Sequence, residues 1–209
     1  METEAPLQHP QVEIVGRGDR VARTREAIVA STLTLAQEGT VVPIVRDIAK
    51  LAGVSARTVF QHFADTTELY VAVLGRVLAS LLGDARDLVM PRPLDERVAA
   101  IIGHRAARYE KLLPMWTFVG TLQRRSAEAA EKILHMYSTN REQLATWFSQ
   151  ELTSLPGDSR ERTLNALAMA LTPESWIVLR ERFGLTVEQA REEWRFIVKA
   201  IFTDGPAHR

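Results

Sequence analysis

Arg46, Lys50, Ser55, Arg57, Thr58, Gln61 and His62 crowd into one short stretch, and each carries a group that hydrogen-bonds a polar partner. Arg57 has the most selective chemistry: a guanidinium pairs bidentately with guanine in a major groove or bonds a phosphate. A solvated surface arginine is the alternative. Thr58 and Gln61 read base edges or simply solvate a helix face, while Lys50 and Arg46 suit phosphate neighbours better than sequence readers. The chemistry on offer is recognition, not bond-breaking. The chain has no cysteine, no glycine-rich phosphate loop and no nucleophile set beside a base. His104 and Glu110 lack metal-ligand spacing, and His135 reads as a surface or core histidine. No metal, cofactor or enzymatic activity is expected.

Such side chains need a rigid support narrow enough to enter a groove. The stretch Val45-Arg-Asp-Ile-Ala-Lys-Leu-Ala-Gly-Val-Ser-Ala-Arg-Thr-Val-Phe-Gln-His-Phe63 predicts two short helices, near Val45–Ala52 and Ala56–Phe63. Gly53 takes the left-handed conformation a tight turn requires, and Ser55 caps the second helix. Ala49 is small where the helices cross, and Ile48, Val54 and Val59 bury against a preceding helix. Phe60 and Phe63 are expected to anchor this small core, leaving Arg57, Thr58, Gln61 and His62 on polar faces. In that arrangement the second helix presents its N-terminal part to the major groove. A plain helical hairpin would show the same corner residues, so spacing alone leaves both open.

The preceding helix is predicted from about Arg23 to Glu38, with Ile28, Ser31 and Leu35 on one face and Gly39 as its stop. Asp65 caps a longer helix through Leu69, Val73, Leu74, Val77, Leu78 and Leu81, ending near Gly83. From Arg23 to Leu69 the chain resembles the DNA-binding domain of the TetR (tetracycline repressor) family of bacterial regulators. The matching residues are Ile28, Gly39, Asp47-Ile48-Ala49, Gly53-Val54-Ser55, Thr58-Val59-Phe60, His62-Phe63 and Leu69. The resemblance implies a homodimeric transcriptional regulator, more often a repressor than an activator, on a palindromic double-stranded operator. It places His62 at a phosphate-contacting position. Three residues depart from the pattern: Ile44 stands where a threonine or serine is usual, Phe60 replaces a tyrosine and Thr66 a lysine. Each change removes a phosphate contact, for which Arg57 and a basic N-terminal arm (Arg17, Arg20, Arg23, Arg25) are expected to compensate by tracking phosphates or entering the minor groove.

Composition allows this. Formal net charge is zero, yet residues 17–63 hold seven basic groups against four acids, and salt screens the balancing charges beyond about 8 Å. The fold class expected is all-α: a flexible arm over residues 1–20, a helix-turn-helix domain over 21–66 and a helical regulatory and dimerisation domain over 67–209. No apolar run is long enough to cross a membrane, no secretory leader is visible, and the absence of cysteine suits the cytoplasm. The charged stretch Asp84, Arg86, Asp87, Arg92 and Asp95, punctuated by Pro91 and Pro93, reads as a solvated connection.

Further helices are predicted over about Asp95–Leu113, Glu128–Leu152, Ser159–Phe183 with a kink or boundary at Pro173, and Val187–Phe202 capped by Thr186. Ser175-Trp176, Leu179-Arg180, Gly184-Leu185-Thr186 and Glu188-Gln189-Ala190 resemble the family's last two helices, which implies a dimer interface at Trp176, Leu179, Phe183, Trp194, Ile197, Val198 and Ile201. The alternative for that apolar stripe is internal core. The family also holds a small-molecule pocket in this domain, for which His104, Tyr109, Met115, Trp116, Phe118, Tyr137 and Trp147 are candidates, suiting a small apolar or aromatic ligand. Aromatic clusters of this kind equally serve as core. Two rivals stay open: a regulator controlled by a protein partner or by abundance, and an all-helical ligand-binding protein or enzyme.

Overall fold

The computed structural model describes residues 17–40, 42–82 and 93–203, and every regular element among them is a helix. Helix α1 spans Arg17–Gln37, α2 Val45–Ala52, α3 Ala56–His62 and α4 Thr66–Leu82. Beyond the undescribed residues 83–92 come α5 (Leu94–Leu112), α6 (Trp116–Arg125), α7 (Ala127–Trp147) and the short α8 (Ser149–Thr153). The chain closes with α9 (Gly157–Ala170), α10 (Pro173–Ile177) and α11 (Val187–Thr203).

Helix α1 buries Ile28, Val29, Thr32 and Ala36 against α2 and α4. Thr32 is tolerated there because its hydroxyl donates to the Ile28 carbonyl at 2.8 Å. The helix stops at Gly39, whose φ of 89° ends it in the left-handed region. Its start corrects the expectation. Helical structure begins at Arg17, so Arg17 and Arg20 are helical, not part of a flexible arm. Asp19 in the first turn complements the helix dipole. Thr24 Oγ1 donates to the Arg20 carbonyl at 2.9 Å and Arg23 Nε to that of Asp19 at 3.3 Å. Residues 1–16, the remainder of the expected arm, lie outside the described residues.

In the larger domain, α5 buries Arg97, Val98, Ile101, Ile102, Arg105, Ala106, Tyr109 and Leu112, a helical repeat that includes two arginines. Helix α11 covers α5 and α9, while α7 packs on α4, α6 and α9. The centre is aromatic: the rings of Trp176 and Trp194 lie 4.5 Å apart, and Tyr109 meets Trp194 edge-on at 6.0 Å. Both indoles find acceptors, Trp176 at Glu110 (2.8 Å) and Trp194 at Ser175 (3.2 Å).

Two expected helices are divided. The one predicted to Leu152 ends at Trp147, where Phe148 leaves helical geometry to bury its ring against Phe202 at 5.2 Å. The one predicted over Ser159–Phe183 breaks at Leu171–Thr172; Thr172 caps α10, Pro173 occupies its first turn, and Val178–Arg182 forms a wider π-type turn. Asp95 stays exposed, as a solvated residue should, but stands in the first turn of α5 and pairs with Lys199 at 2.9 Å. Asp84, Arg86, Asp87 and Arg92 lie outside the described residues.

Candidate DNA-binding surface

The helix-turn-helix corner is built by two local devices. Gly53, at φ 67°, donates its N–H to the carbonyls of Ala49 and Lys50, and the Val54 N–H follows to Ala49 at 3.0 Å. This satisfies the end of α2 and turns the chain within two residues. Ser55 then caps α3: its Oγ accepts the Thr58 N–H at 3.0 Å and lies 2.8 Å from the Thr58 hydroxyl. Both hydroxyls are therefore engaged in holding the helix start. Ser55 acts as a cap first.

Helical phase decides what α3 shows to the outside. Val59 and Phe63 point inward and are buried, so Arg57, Phe60 and Gln61 project together on the outer face. Thr58 and His62 flank it, half-buried. Phe60 is 50% exposed, which overturns its expected role as a core anchor. Only Phe63 anchors, under the guanidinium of Arg25 at 4.1 Å from the ring centroid. Among the described residues Arg57, Lys50 and Arg20 form no ion pair, so their charge remains available. Arg46 leans on Asp47 (3.2 Å), and Arg25 on Glu68 (3.4 Å). The side chain of Arg17 lies outside the described residues.

The departures at Ile44 and Phe60 each leave an apolar side chain half exposed. Ile44 precedes α2 with extended backbone, offers its first turn no side-chain acceptor and is half exposed. The corner is fixed to the rest of the protein through α4. Asp65 caps it, accepting the Glu68 N–H at 2.8 Å, while Glu68 accepts the Ala64 N–H at 2.7 Å. Tyr70 on α4 donates to the Pro43 carbonyl just before α2, at 2.5 Å.

The expected dimer residues divide into two groups. Trp176, Trp194 and Val198 are fully buried and Leu179 nearly so, within the protomer's own core. A side chain already enclosed by its own chain has no surface left for a partner, which removes these four from the interface. Ile197 and Ile201 are half-buried, and Phe183 is 66% exposed. The apolar group that the stripe did not single out is Phe196, 70% exposed on the outer face of α11, with Val178 also exposed on the turn before Phe183.

The seven pocket candidates are not brought into one place. Tyr109, Met115, Phe118 and Trp147 are buried in the core; Trp116 is half-buried. His104 meets Trp147 edge-on at 6.2 Å, and burial, helped by the charges of Arg108 and Arg105, lowers its pKa. Burial raises the pKa of the Tyr109 phenol, as it does that of Tyr137, whose hydroxyl donates to Glu174. Tyr137 alone of the seven lines the cavity of about 330 Å³ between α5, α7 and the end of α9. Met115 lines a second cavity of about 210 Å³ between α1, α4 and α5, and Phe118 a shallow one beside Tyr70. Arg105, which the sequence analysis did not single out, lines the largest of the three. Its signal was a charge at a core-facing position of the α5 repeat, a place that Arg97 also takes.

Residues 30–73, from the last two turns of α1 to the middle of α4, match the family described as bacterial regulatory proteins, tetR family. Solved structures resemble the chain over nearly its whole length. A transcriptional regulator from Rhodococcus is 17% identical, with 87% of this chain and 97% of that one covered at a TM-score of 0.69. A TetR-family transcriptional regulator from Streptomyces coelicolor is 17% identical, covering 90% of this chain and 91% of that one at 0.63. PfmR, a TetR-family transcriptional regulator from Thermus thermophilus, is 18% identical, covering 89% and 97% at 0.57. No curated protein matches the chain. Residues 30–73 thus match the tetR family of bacterial regulatory proteins, and the chain as a whole has the fold of solved transcriptional regulators, several of them of the TetR family.

Proposed function

We propose that this regulator is a repressor that binds a palindromic double-stranded DNA operator as a homodimer in the cytoplasm and is released by a small molecule. The observation that carries it is the outer face of α3, where Arg57 and Gln61 stand exposed beside Phe60 on a helix fixed by Gly53 and Ser55. Arg57 pairs with a guanine edge or a phosphate, Gln61 reads a base, and Phe60 has the shape to meet a thymine methyl. Lys50 and Arg20 supply phosphate contacts, with Arg46, Arg23 and His62 at the margin.

A second copy brings the two α3 helices into successive major grooves, about 34–36 Å apart. The exposed Phe183, Phe196 and Val178 support a two-fold contact around α11, joined by the half-buried Ile197 and Ile201. The cavity beside α5 supports control by a ligand, whereas control by abundance or by a protein partner would suit a filled domain. Selection of genomic DNA fragments by the purified protein tests recognition, with an Arg57→Ala, Gln61→Ala double variant alongside. A palindrome recovered by the parent and lost by the variant is expected. Equal, sequence-indifferent retention by both would overturn the assignment of α3.

A further inference from the structure

Arg105 stands on the buried face of α5, only 3% exposed. Nη1 donates to the Tyr109 hydroxyl at 3.1 Å and to the Leu171 carbonyl at 2.7 Å; Nη2 donates to the Asn140 carbonyl at 3.4 Å. Nε, fully enclosed, has no hydrogen-bond partner. A guanidinium has five N–H groups, so the Nε hydrogen and one on Nη2 remain. Nε and Nη2 share an edge of the planar group, and their spacing matches the two oxygens of a carboxylate.

The charge is as unmatched as the donors. Among the described residues no carboxylate pairs with Arg105, although the buried Arg97 has Glu151 and the half-buried Arg180 has Glu110. What offsets its charge is weaker: the ring of Trp147, 5.3 Å from the guanidinium carbon, and the carbonyl of Leu171 at the negative end of α9. Neither is a full counter-charge, and a buried cation without one is strongly disfavoured.

Arg105 also forms part of the wall of the 330 Å³ cavity, within the size range of small-molecule sites. The cavity is also lined by Tyr137, Ser138 and Arg141 of α7 and by Ala168, Met169 and Leu171 of α9 and its end. Arg141 is already held by Glu161 (2.5 Å) and Asn165 (3.0 Å), and Tyr137 by Glu174. One cation is left over.

We propose that this cavity binds a small organic carboxylate, whose two oxygens complete the Arg105 edge and whose apolar body packs on Ala168, Met169 and Leu171. This rests on the assignment of a ligand-controlled regulator and names the chemical class of the ligand. The polar half of such a ligand is fixed by charge and geometry together, and the apolar half by fit alone. The site therefore selects the acid group first.

The test uses the purified full chain with matched probes, benzoate against benzamide and hexanoate against hexanamide, in titration calorimetry and in displacement from the selected operator. The acids are expected to bind 10- to 100-fold more tightly than their amides, the range charge-assisted hydrogen bonds support. Arg105→Lys, which keeps the charge but lacks the fork, should lose most of that preference, and Arg105→Met all of it. The acid–amide comparison in the parent chain stands even if either variant fails to fold. Amides that bind and displace DNA as well as the acids would overturn the carboxylate assignment while leaving ligand control intact. Failure of all four probes to bind a protein that still recognises its operator would overturn the cavity as a ligand site.

Discussion

Replacing Gly53 by alanine tests the corner on which recognition depends. Its φ of 67° is left-handed, and a Cβ built there meets nothing within 4 Å, so the penalty is conformational and not steric. An L-residue with a Cβ is disfavoured in that region by about 1–2 kcal/mol. Alanine recovers about 0.4–1 kcal/mol by restricting the unfolded chain, which leaves a net loss near 1 kcal/mol. For a chain of 209 residues that lowers the melting temperature by roughly 2–4 °C. Asparagine tolerates the left-handed region better and should lie between the two. Gly184, also at φ 67° with open space around a Cβ, is the control far from α3. Gly184→Ala should cost a similar amount of stability and, at protein concentrations where it is still dimeric, leave operator affinity unchanged. Gly53→Ala should lower both, because relief of the strain continues α2 and swings α3 away from its seat. Urea unfolding and operator titration read the two quantities separately. Equal operator affinity for the two alanine variants would refute the claim that the Gly53 turn aims α3.

The phosphate and base roles separate by salt. Lys50→Ala should reduce the magnitude of the log affinity against log salt slope by about 0.9 across all sequences, whereas Arg57→Ala should relax base preference at one operator position; a uniform loss with Arg57→Ala would make it a phosphate contact. Phe196→Glu should yield monomers in sedimentation, while Trp194→Ala, at a fully buried position, should cost about 3–5 kcal/mol in stability; a dimeric Phe196→Glu would remove α11's outer face from the interface. The lowered pKa of His104 means that the unfolded chain binds its proton more readily. Its stabilising contribution is present above about pH 6.5 and is lost as pH falls below it toward the folded value. His104→Gln should flatten that acid limb, and an unchanged profile would place the titration elsewhere.

Local chemistry made the DNA-binding corner legible. Gly53 and Ser55 bound α2 and α3 within a residue because a left-handed stop and a hydroxyl cap act over one turn, and Asp65, Pro173 and Thr186 mark starts for the same reason. What remained hidden depended on what covers a face. Trp176, Leu179, Trp194 and Val198 form a helical stripe that suits either a partner or the protomer's own core, and periodicity cannot tell one from the other. Burial by α5 and α9 decides for the core. Phe60 was lost to a similar ambiguity. Its aromatic type favours burial, but its phase against Val59 and Phe63 turns it outward. Helix α1 begins inside the arm expected over residues 1–20 and runs through Gly18, since one glycine costs a helix only about 1 kcal/mol.

The position of Arg105 also gives ligand control a route and a magnitude. It lies on α5, one turn before Arg108, whose Nη1 donates to the Leu81 carbonyl at 2.6 Å near the end of α4. Beyond Leu112 the chain runs into Met115, in the turn that packs on α1. A shift of α5 is thus felt by both helices that carry the DNA-binding corner. To move a regulator from almost wholly DNA-competent to almost wholly released takes about a 10⁴-fold preference for the released state, or about 5.5 kcal/mol. In a symmetric dimer two sites share this, which requires about 100-fold, or about 2.7 kcal/mol, from each. Charge-assisted hydrogen bonds contribute about 1.5–3 kcal/mol, so an Arg105 edge engaged by ligand in the released state and not in the DNA-bound state is sufficient. The same carboxylate bound equally in both states would be held tightly and release nothing.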